Sequence, residues 1–457
     1  GVAFIEAGNP GSNPKDMEFF QEMKKVELKT SKLCAFGSTR RKDINCSEDV
    51  NLQSLLAADT EWVVIFGKSW TFQVTDIIKT TLEENLAMIR DTCKFLCDNG
   101  RQVIYDAEHF FTGYQENSEY AIKTLEASVE GGAKVLSLCE TKGGCMLKDC
   151  ETAVAAVCKH FGDKVKVGIH THNDCGLAVA NSLVAAESGA RHVQGTLLGF
   201  GERTGNANLS SIISCLQLKM GYKCLEDEKL QELTPIAKRV AEITNVSLNT
   251  QLPFVGGSAF SHKAGMHIDA VLKNPSAYEH INPEAVGNQR VFLMSEVAGR
   301  ATIIEKIQKI DPMISKDNPV VGDIMKKMKQ LEFEGYQFEG ADGSFELLAR
   351  KMIGRYQPFF KLHYYQTNGV NPRPEEGVCA CAQIKVEVDG QIEVTAGEGD
   401  GPVNALDIAL RKALCRFYPA VSQIRLTDYK VRVLDGKSAT ASRVRVLIES
   451  TDGNNSW

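Results

Sequence analysis

The sequence predicts an α/β protein: a parallel (β/α)8 (TIM) barrel lacking its first strand, then helical linker subdomains, then a partial C-terminal α+β domain. Three observations predict it. Short apolar runs that end in glycine or polar residues alternate with stretches of helical period along positions 1–200. No GxGxxG follows any of those runs, which removes the commonest signature of the competing open, doubly wound sheet. From residue 341 onward the pattern switches to alternating strands around one amphipathic helix.

The strand runs are VAFIEAG (2–8), KLCAFGS (32–38), EWVVIFG (61–67), RQVIYDAE (101–108), KVLSLCET (134–141), KVGIHTH (166–172) and HVQGTLLG (192–199). Helical spacing lies between them, as in TTLEENLAMIRDTCKFL (80–96) and GLAVANSLVAAESGA (176–190), so right-handed crossovers should make the sheet parallel. A barrel of this kind closes with about eight strands. GVAFIEAG opens the chain already in a strand, so the expectation is that the first barrel strand precedes Gly1. Helices follow at LEDEKLQELTPIAKRVAEITN (225–245), then a glycine-containing stretch SAFSHKAGMHIDAVLKNP (258–275). In the last third, strands are expected at AQIKVEVDG (382–390), QIEVTAGEG (391–399), YKVRVLDG (429–436) and SRVRVLIES (442–450), with PVNALDIALRKALCRF (402–417) as the covering helix. VLIESTDGNNSW ends without a closing helix, so this domain is expected to continue. The resulting division is 1–248, 249–340 and 341–457.

A chain of 457 residues exceeds what one hydrophobic core spans. Its net charge of −6 and the lack of a long lysine and arginine block argue against nucleic acid or a polybasic membrane patch as partner. No apolar run approaches the roughly 20 residues of a membrane span. Fourteen cysteines without a CxxC pair read as reduced thiols of a cytoplasmic protein rather than a disulfide framework. Small molecules are the expected partners.

Polar residues gather where the strand runs end: Arg40 and Arg41, Glu108, Thr141, His170 and His172, and Thr196. In a parallel barrel such positions converge on one mouth. His170 and His172 are two apart on a strand, so both imidazoles point to one face and can bind one metal, while Thr171 faces the covering helices. The same pair alone is also compatible with a structural role. GFGERTGNANL (199–209) places Glu202, Arg203, Asn206 and Asn208 in one glycine-rich turn, which by itself is a turn and helix cap. Beside two imidazoles, those oxygen donors suit a catalytic divalent ion with open positions better than a closed, thiolate-rich zinc site. Asp174 reads as the N-cap of the helix starting near Gly176. Glu108 could act as acid or base if buried, or be a solvated loop carboxylate. His267 in AGMHID has the same ambiguity.

With these residues in hand, the chain resembles the citramalate synthase branch of the 2-isopropylmalate synthase, homocitrate synthase and hydroxymethylglutaryl-CoA lyase superfamily. The resemblance runs through PGSNPKD (10–16), FGSTRRK (36–42), TTLEENLAMI (80–89), YDAEHFF (105–111), GIHTHNDCGLAVANS (168–182), GERTGNANL (201–209), FSHKAGMHIDAVLKNP (260–275), GPVNALD (401–407) and RLTDYKVRVLDG (425–436). It implies condensation of acetyl-CoA with a 2-oxo acid, pyruvate in this branch, followed by thioester hydrolysis and feeding isoleucine biosynthesis. It further implies His170, His172 and Asn206 as ligands of a divalent metal ion (Mg, Mn or Zn), Glu108 and His267 as acid/base residues, and Thr141 and Thr196 beside the oxo acid. A homodimer and a C-terminal domain that binds an end-product amino acid complete the implication. The family's first strand also carries an arginine and a metal-binding aspartate, both expected upstream of Gly1, so the 457 residues by themselves are expected to be impaired or inactive. Around the mouth, Glu140 and Lys142 stand in a usual CDTNGG, Thr71 and Gln73 in a usual WDFHV, Thr112 in a usual HFFDG, and Leu198 where asparagine is common. Two other readings stay open: 2-isopropylmalate synthase, and a catalytically silent paralogue that binds a branched-chain amino acid. A lyase of the superfamily would need no C-terminal domain.

Overall fold

A computed structural model describes residues 1–263, 265–292, 300–315, 317–338, 340–369, 379–434, 436–453 and 455–457. They form two compact units, one of residues 1–260 with 280–290 and the other of 261–279 with 291–457.

The first unit is a run of β/α repeats: β1 (Phe4–Glu6), α1 (Pro14–Met23), β2 (Lys32–Ser38), α2 (Val50–Ala58), β3 (Trp62–Lys68), α3 (Leu82–Asp98), β4 (Gln102–Glu108), α4 (Phe110–Glu116), α5 (Ser118–Glu130), β5 (Val135–Glu140), α6 (Leu147–Phe161), β6 (Lys166–Thr171), α7 (Ala178–Glu187), β7 (His192–Gln194) and α8 (Leu209–Leu218). Short helices α9 (Asp227–Leu230) and α10 (Leu233–Ile243) follow. The seven strands are hydrogen-bonded in strict chain order, and every pair is parallel. That order is the barrel order; a doubly wound sheet reverses direction at a switch point. The sheet is curled, for Phe4 on β1 packs edge-on both against Trp62 at 4.8 Å and against His192 on β7 at 5.7 Å.

The helices are held as their sequences dictate. Thr81 caps α3 by accepting the Glu84 N–H at 3.1 Å, and Met88, Ile89, Thr92, Cys93 and Leu96 form its buried stripe. The core between sheet and helices includes Leu52, Leu55, Ile65, Ile89, Leu96, Tyr105, Leu125, Leu136 and Ile169. All fourteen cysteines are free.

Two expectations need correction. Asp174 does not cap α7: the Ala178 N–H goes to Asn173 Oδ1 at 3.2 Å, and Asp174 turns to Arg203 instead. Arg40 does not reach the mouth. Its guanidinium is drawn toward α3 by Glu84 at 2.6 Å and Asp91 at 3.0 Å, because two carboxylates on that helix satisfy a cation the strand end would otherwise leave to water. Thr171 behaves as expected, its hydroxyl donating to Ala178 O beneath α7.

The second unit contains β8 (Ser261–His262), α11 (Gly265–Lys273), β9 (Val291–Phe292), α12 (Arg300–Ile310), α13 (Pro319–Phe333), α14 (Asp342–Met352), β10 (Lys361–Gly369), β11 (Ala380–Val388), β12 (Gln391–Gly399), α15 (Pro402–Leu414), β13 (Arg425–Val433) and β14 (Val444–Thr451). Ile303, Ile307, Val321, Ile324, Met328 and Phe345 knit α12, α13 and α14 together. Strands β10, β11 and β12 form one antiparallel sheet. Ala405, Ala409 and Ala413 of α15 lie on Ala382, Ile384 and Val386 of β11. Gly397 permits this close approach, since a Cβ there would sit 2.5 Å from Ala405 O. Against expectation, β13 and β14 pair as a separate two-stranded sheet, and strand β10 had no counterpart in the sequence reading.

Candidate active site

Strand period brings the site residues to one face. Asp106 and Glu108 on β4, Ser137 on β5, His170 and His172 at the end of β6 and Gln194 on β7 all follow the alternation that turns every second side chain inward. The rings of His170 and His172 are 5.1 Å apart between centroids. An isolated antiparallel bridge joins His172 to Asn206. It brings the GERTGN turn back over the strand, so that Asn206 Oδ1 lies 3.1 Å from His170 Nε2.

The contacts of this trio define its chemistry. Asn206 Nδ2 donates to Phe200 O at 3.0 Å, which fixes the amide with Oδ1 toward His170. His170 Nδ1 lies 2.8 Å from Gln194 Oε1; with the amide oxygen as acceptor, the ring hydrogen belongs on Nδ1. His170 Nε2 and Asn206 Oδ1 then face each other as two lone pairs. Burial holds the His170 and His172 imidazoles below the usual histidine range, although the contacts with Gln194 and Asn206 pull His170 back up. A neutral imidazole lone pair opposed to an amide oxygen is an unsatisfied arrangement that a cation resolves, so these residues fit a divalent metal ion. Among the described residues there is no cluster of three or more His, Cys, Asp or Glu with metal-binding geometry; the third donor here is an amide.

Glu108, at the end of β4, is ion-paired with Lys68 at the end of β3, the two being register partners across the sheet. His109 follows in a left-handed conformation, φ 60°, sparsely populated for a residue with a Cβ. Its backbone N–H donates to Thr141 Oγ1 at 2.8 Å, tying the β4 and β5 ends together. Burial lowers the pKa of the His109 ring, opposed by Glu108 and aided by Lys68, Lys142 and His172, which places His172, Glu108, Lys68 and Lys142 within one electrostatic neighbourhood. Lys142 lies over the Trp70 ring, 4.1 Å from its centroid.

Arg203 clasps the rim. Its guanidinium meets both oxygens of Asp174 at 2.7 and 2.9 Å and donates to Thr141 O at 2.8 Å. Beneath it Gly143 has φ +70°, and a Cβ there would lie 2.1 Å from Asp174 Oδ2. Thr196 donates its hydroxyl to Phe200 O, the same carbonyl that holds Asn206. Of the residues singled out in the sequence, Glu108, Thr141, His170, His172, Thr196 and Asn206 thus meet around one mouth. His267 belongs to the second unit, exposed on α11 and stacked on Tyr278 at 4.2 Å.

Sequence reasoning passed over Lys68, His109 and Gln194. Lys68 and Gln194 could have been found from the strand alignment alone, because Lys68 pairs in register with Glu108, and Gln194 with His170.

Family profiles match the chain in three consecutive stretches: HMGL-like over residues 1–240, homocitrate synthase post-HMGL domain-like over 254–335, and LeuA allosteric (dimerisation) domain over 339–457. The (R)-citramalate synthase of Aquifex aeolicus is 48% identical over 457 residues, 100% of this chain and 86% of that protein. The (R)-citramalate synthase of Synechocystis sp. is 46% identical over 466 residues, 100% of this chain and 85% of that protein. A probable 2-isopropylmalate synthase of Methanopyrus kandleri is 28% identical over 457 residues, 99% of this chain and 86% of that protein.

Proposed function

The chain belongs to the HMGL-like family, in its (R)-citramalate synthase branch, and from that premise we propose that it condenses acetyl-CoA with pyruvate, then hydrolyses the thioester to release (R)-citramalate and CoA for isoleucine biosynthesis. The observation that carries the reading is the unsatisfied contact of His170 Nε2 with Asn206 Oδ1, set at the same mouth as the ion-paired carboxylate of Glu108.

In this reading His170, His172 and Asn206 would hold a divalent cation, Mg²⁺, Mn²⁺ or Zn²⁺. When bound, that ion supplies Lewis-acid polarisation of the oxo acid's carbonyl. Glu108 accepts a proton from the acetyl methyl or from the water that cleaves the thioester. Lys68 keeps that carboxylate oriented through their ion pair. Thr141 Oγ1 takes the His109 N–H, leaving its own proton to offer to the substrate carboxylate, and Thr196 borders the same space. His267 is the proposed second acid/base group, supplied by a partner subunit of a homodimer. Residues 1–248 are the catalytic domain in this reading, 249–340 the linker, and 341–457 the regulatory domain that binds the end-product amino acid. The LeuA-type match supports the last assignment. Among the described residues no helix is long and apolar enough to cross a membrane, which agrees with a cytoplasmic enzyme.

The test is release of free CoA from acetyl-CoA with Mg²⁺ or Mn²⁺ and with pyruvate, 2-oxobutyrate or 2-oxoisovalerate in turn. Pyruvate should give the fastest turnover, abolished by a chelator. Preference for 2-oxoisovalerate would move the assignment to 2-isopropylmalate synthase. Silence with all three that persists after the family's upstream arginine and aspartate are restored, alongside calorimetric binding of isoleucine or leucine, would make the chain a non-catalytic relative.

A further inference from the structure

Behind the paired histidines runs a chain of hydrogen bonds that the proposed chemistry does not use. Asp106, on the inner face of β4, is 4% exposed. Its Oδ1 accepts from Gln194 Nε2 at 2.9 Å. Ser137 Oγ donates to Gln194 Oε1 at 3.0 Å, and that same oxygen lies 2.8 Å from His170 Nδ1. Gln194 therefore has one orientation that serves all its neighbours while Asp106 is an acceptor: amide nitrogen toward the carboxylate, amide oxygen toward the serine and the imidazole.

We propose that Gln194 is the positioning residue of the site: anchored on Asp106 and Ser137, its amide oxygen holds His170 in the Nδ1–H tautomer and aims Nε2 as a lone pair at Asn206 Oδ1. The consequence for a bound cation rests on the metal reading above; the tautomer itself does not. An imidazole free to exchange tautomers would present Nε2 as a donor half of the time or more, satisfy Asn206 Oδ1 by a direct hydrogen bond, and close the position a cation needs. Partners of this kind, one bond behind a ligand, commonly change metal affinity by roughly 10–100-fold.

The competing arrangement is specific. If the Gln194 amide were turned over, its nitrogen would donate to His170 Nδ1, its oxygen would require a protonated Asp106, and His170 would carry its hydrogen on Nε2. Every group would then be satisfied with no cation present. The two arrangements are told apart most directly by the position of the imidazole hydrogen.

The experiment uses the full chain, metal-free, with ¹⁵N-labelled histidine at pH 7.5, and reads the His170 ring by long-range ¹H–¹⁵N correlation, assigned by its loss in His170→Gln. The Nδ1–H pattern is expected in the wild-type chain, and the Nε2–H pattern overturns the proposal. In Gln194→Met the preference should be lost and Mn²⁺ affinity, read by electron paramagnetic resonance, should fall about 10–100-fold. In Gln194→Glu, whose carboxyl can replace the amide only by carrying one proton toward Asp106 Oδ1 while its other oxygen accepts from Nδ1–H, the tautomer should stay as in wild type and the Mn²⁺ affinity should stay above that of Gln194→Met. Unchanged Mn²⁺ affinity in Gln194→Met overturns the proposal. Should Gln194→Met not fold, the wild-type tautomer decides alone. A wild-type chain that shows the Nδ1–H tautomer yet binds no Mn²⁺ sinks the metal reading and leaves the positioning role standing.

Discussion

Asp106→Asn should make the protein more resistant to alkaline pH. Burial pushes the Asp106 carboxyl from its ordinary 3.8 up to about 7, against the hydrogen bond from Gln194. Its neighbour Glu6 is raised from its ordinary 4.5 to about 8, by burial first and then by the Asp106 charge. An acid whose native pKa lies above its unfolded value is most favourable to folding below the unfolded pKa. Stability then falls as pH rises toward the native pKa and levels off above it. From about pH 5.5 to the native pKa is roughly 1.5 units, worth ~1.4 kcal/mol each, so the wild-type chain should lose about 2 kcal/mol over that interval through this group. Asparagine has no such charge, and its amide oxygen can still accept from Gln194. The assay is urea unfolding of metal-free protein at about pH 5.5, 7 and 8.5, followed by the fluorescence of Trp62 and Trp70, both in this unit. The stability difference between variant and wild type should grow by about 2 kcal/mol across the series. A difference that stays constant with pH would refute the claim that a buried carboxyl raised well above the ordinary aspartate range sits behind the site.

The remaining predictions concern the mouth. Glu108→Gln should lower kcat for CoA release by ~10²–10⁴-fold with KM for acetyl-CoA little changed; a loss of only a few-fold would remove Glu108 from the proton-transfer role. Asn206→Ala should weaken Mn²⁺ binding, and turnover of the chelator-treated variant should need more Mn²⁺ for recovery than the wild type does; equal recovery curves would argue that the amide is no ligand. Gly143→Ala forces a Cβ to within 2.1 Å of Asp174 Oδ2 at φ +70°, so it should cost ~1–3 kcal/mol in thermal stability and disturb the Arg203 clasp. Gly144→Ala is the control, with nothing within 4 Å of its Cβ position.

Much of this molecule was decided by sequence pattern alone. Seven apolar runs between helical stretches define seven parallel strands, because a strand buried on both faces must be apolar nearly throughout and its helix amphipathic. The spacing of His170 and His172 settles their common face, since the strand period is two. The alternation of β11, buried at every second residue, was equally visible. Strand β10 was not: all nine of its residues are exposed, so neither face imposes an apolar alternation on KLHYYQTNG.

What only the tertiary structure decided are the partnerships between distant residues. Asp106 and Gln194 lie 88 positions apart, and Lys68 and Glu108 40 apart; no local propensity links them, and the register of β3 on β4 brings the second pair together while the curl of the sheet brings β4 and β7, with two strands between them, to one interior. The same holds where local chemistry was ambiguous. Asp174 is a plausible cap until a guanidinium from the next loop claims both its oxygens, and Arg40 sits at a strand end until two carboxylates of α3 draw it toward the helix. Sequence sets which faces are buried because burial acts on each residue's own side chain. Which polar groups satisfy one another is decided by the geometry that packing the whole sheet imposes.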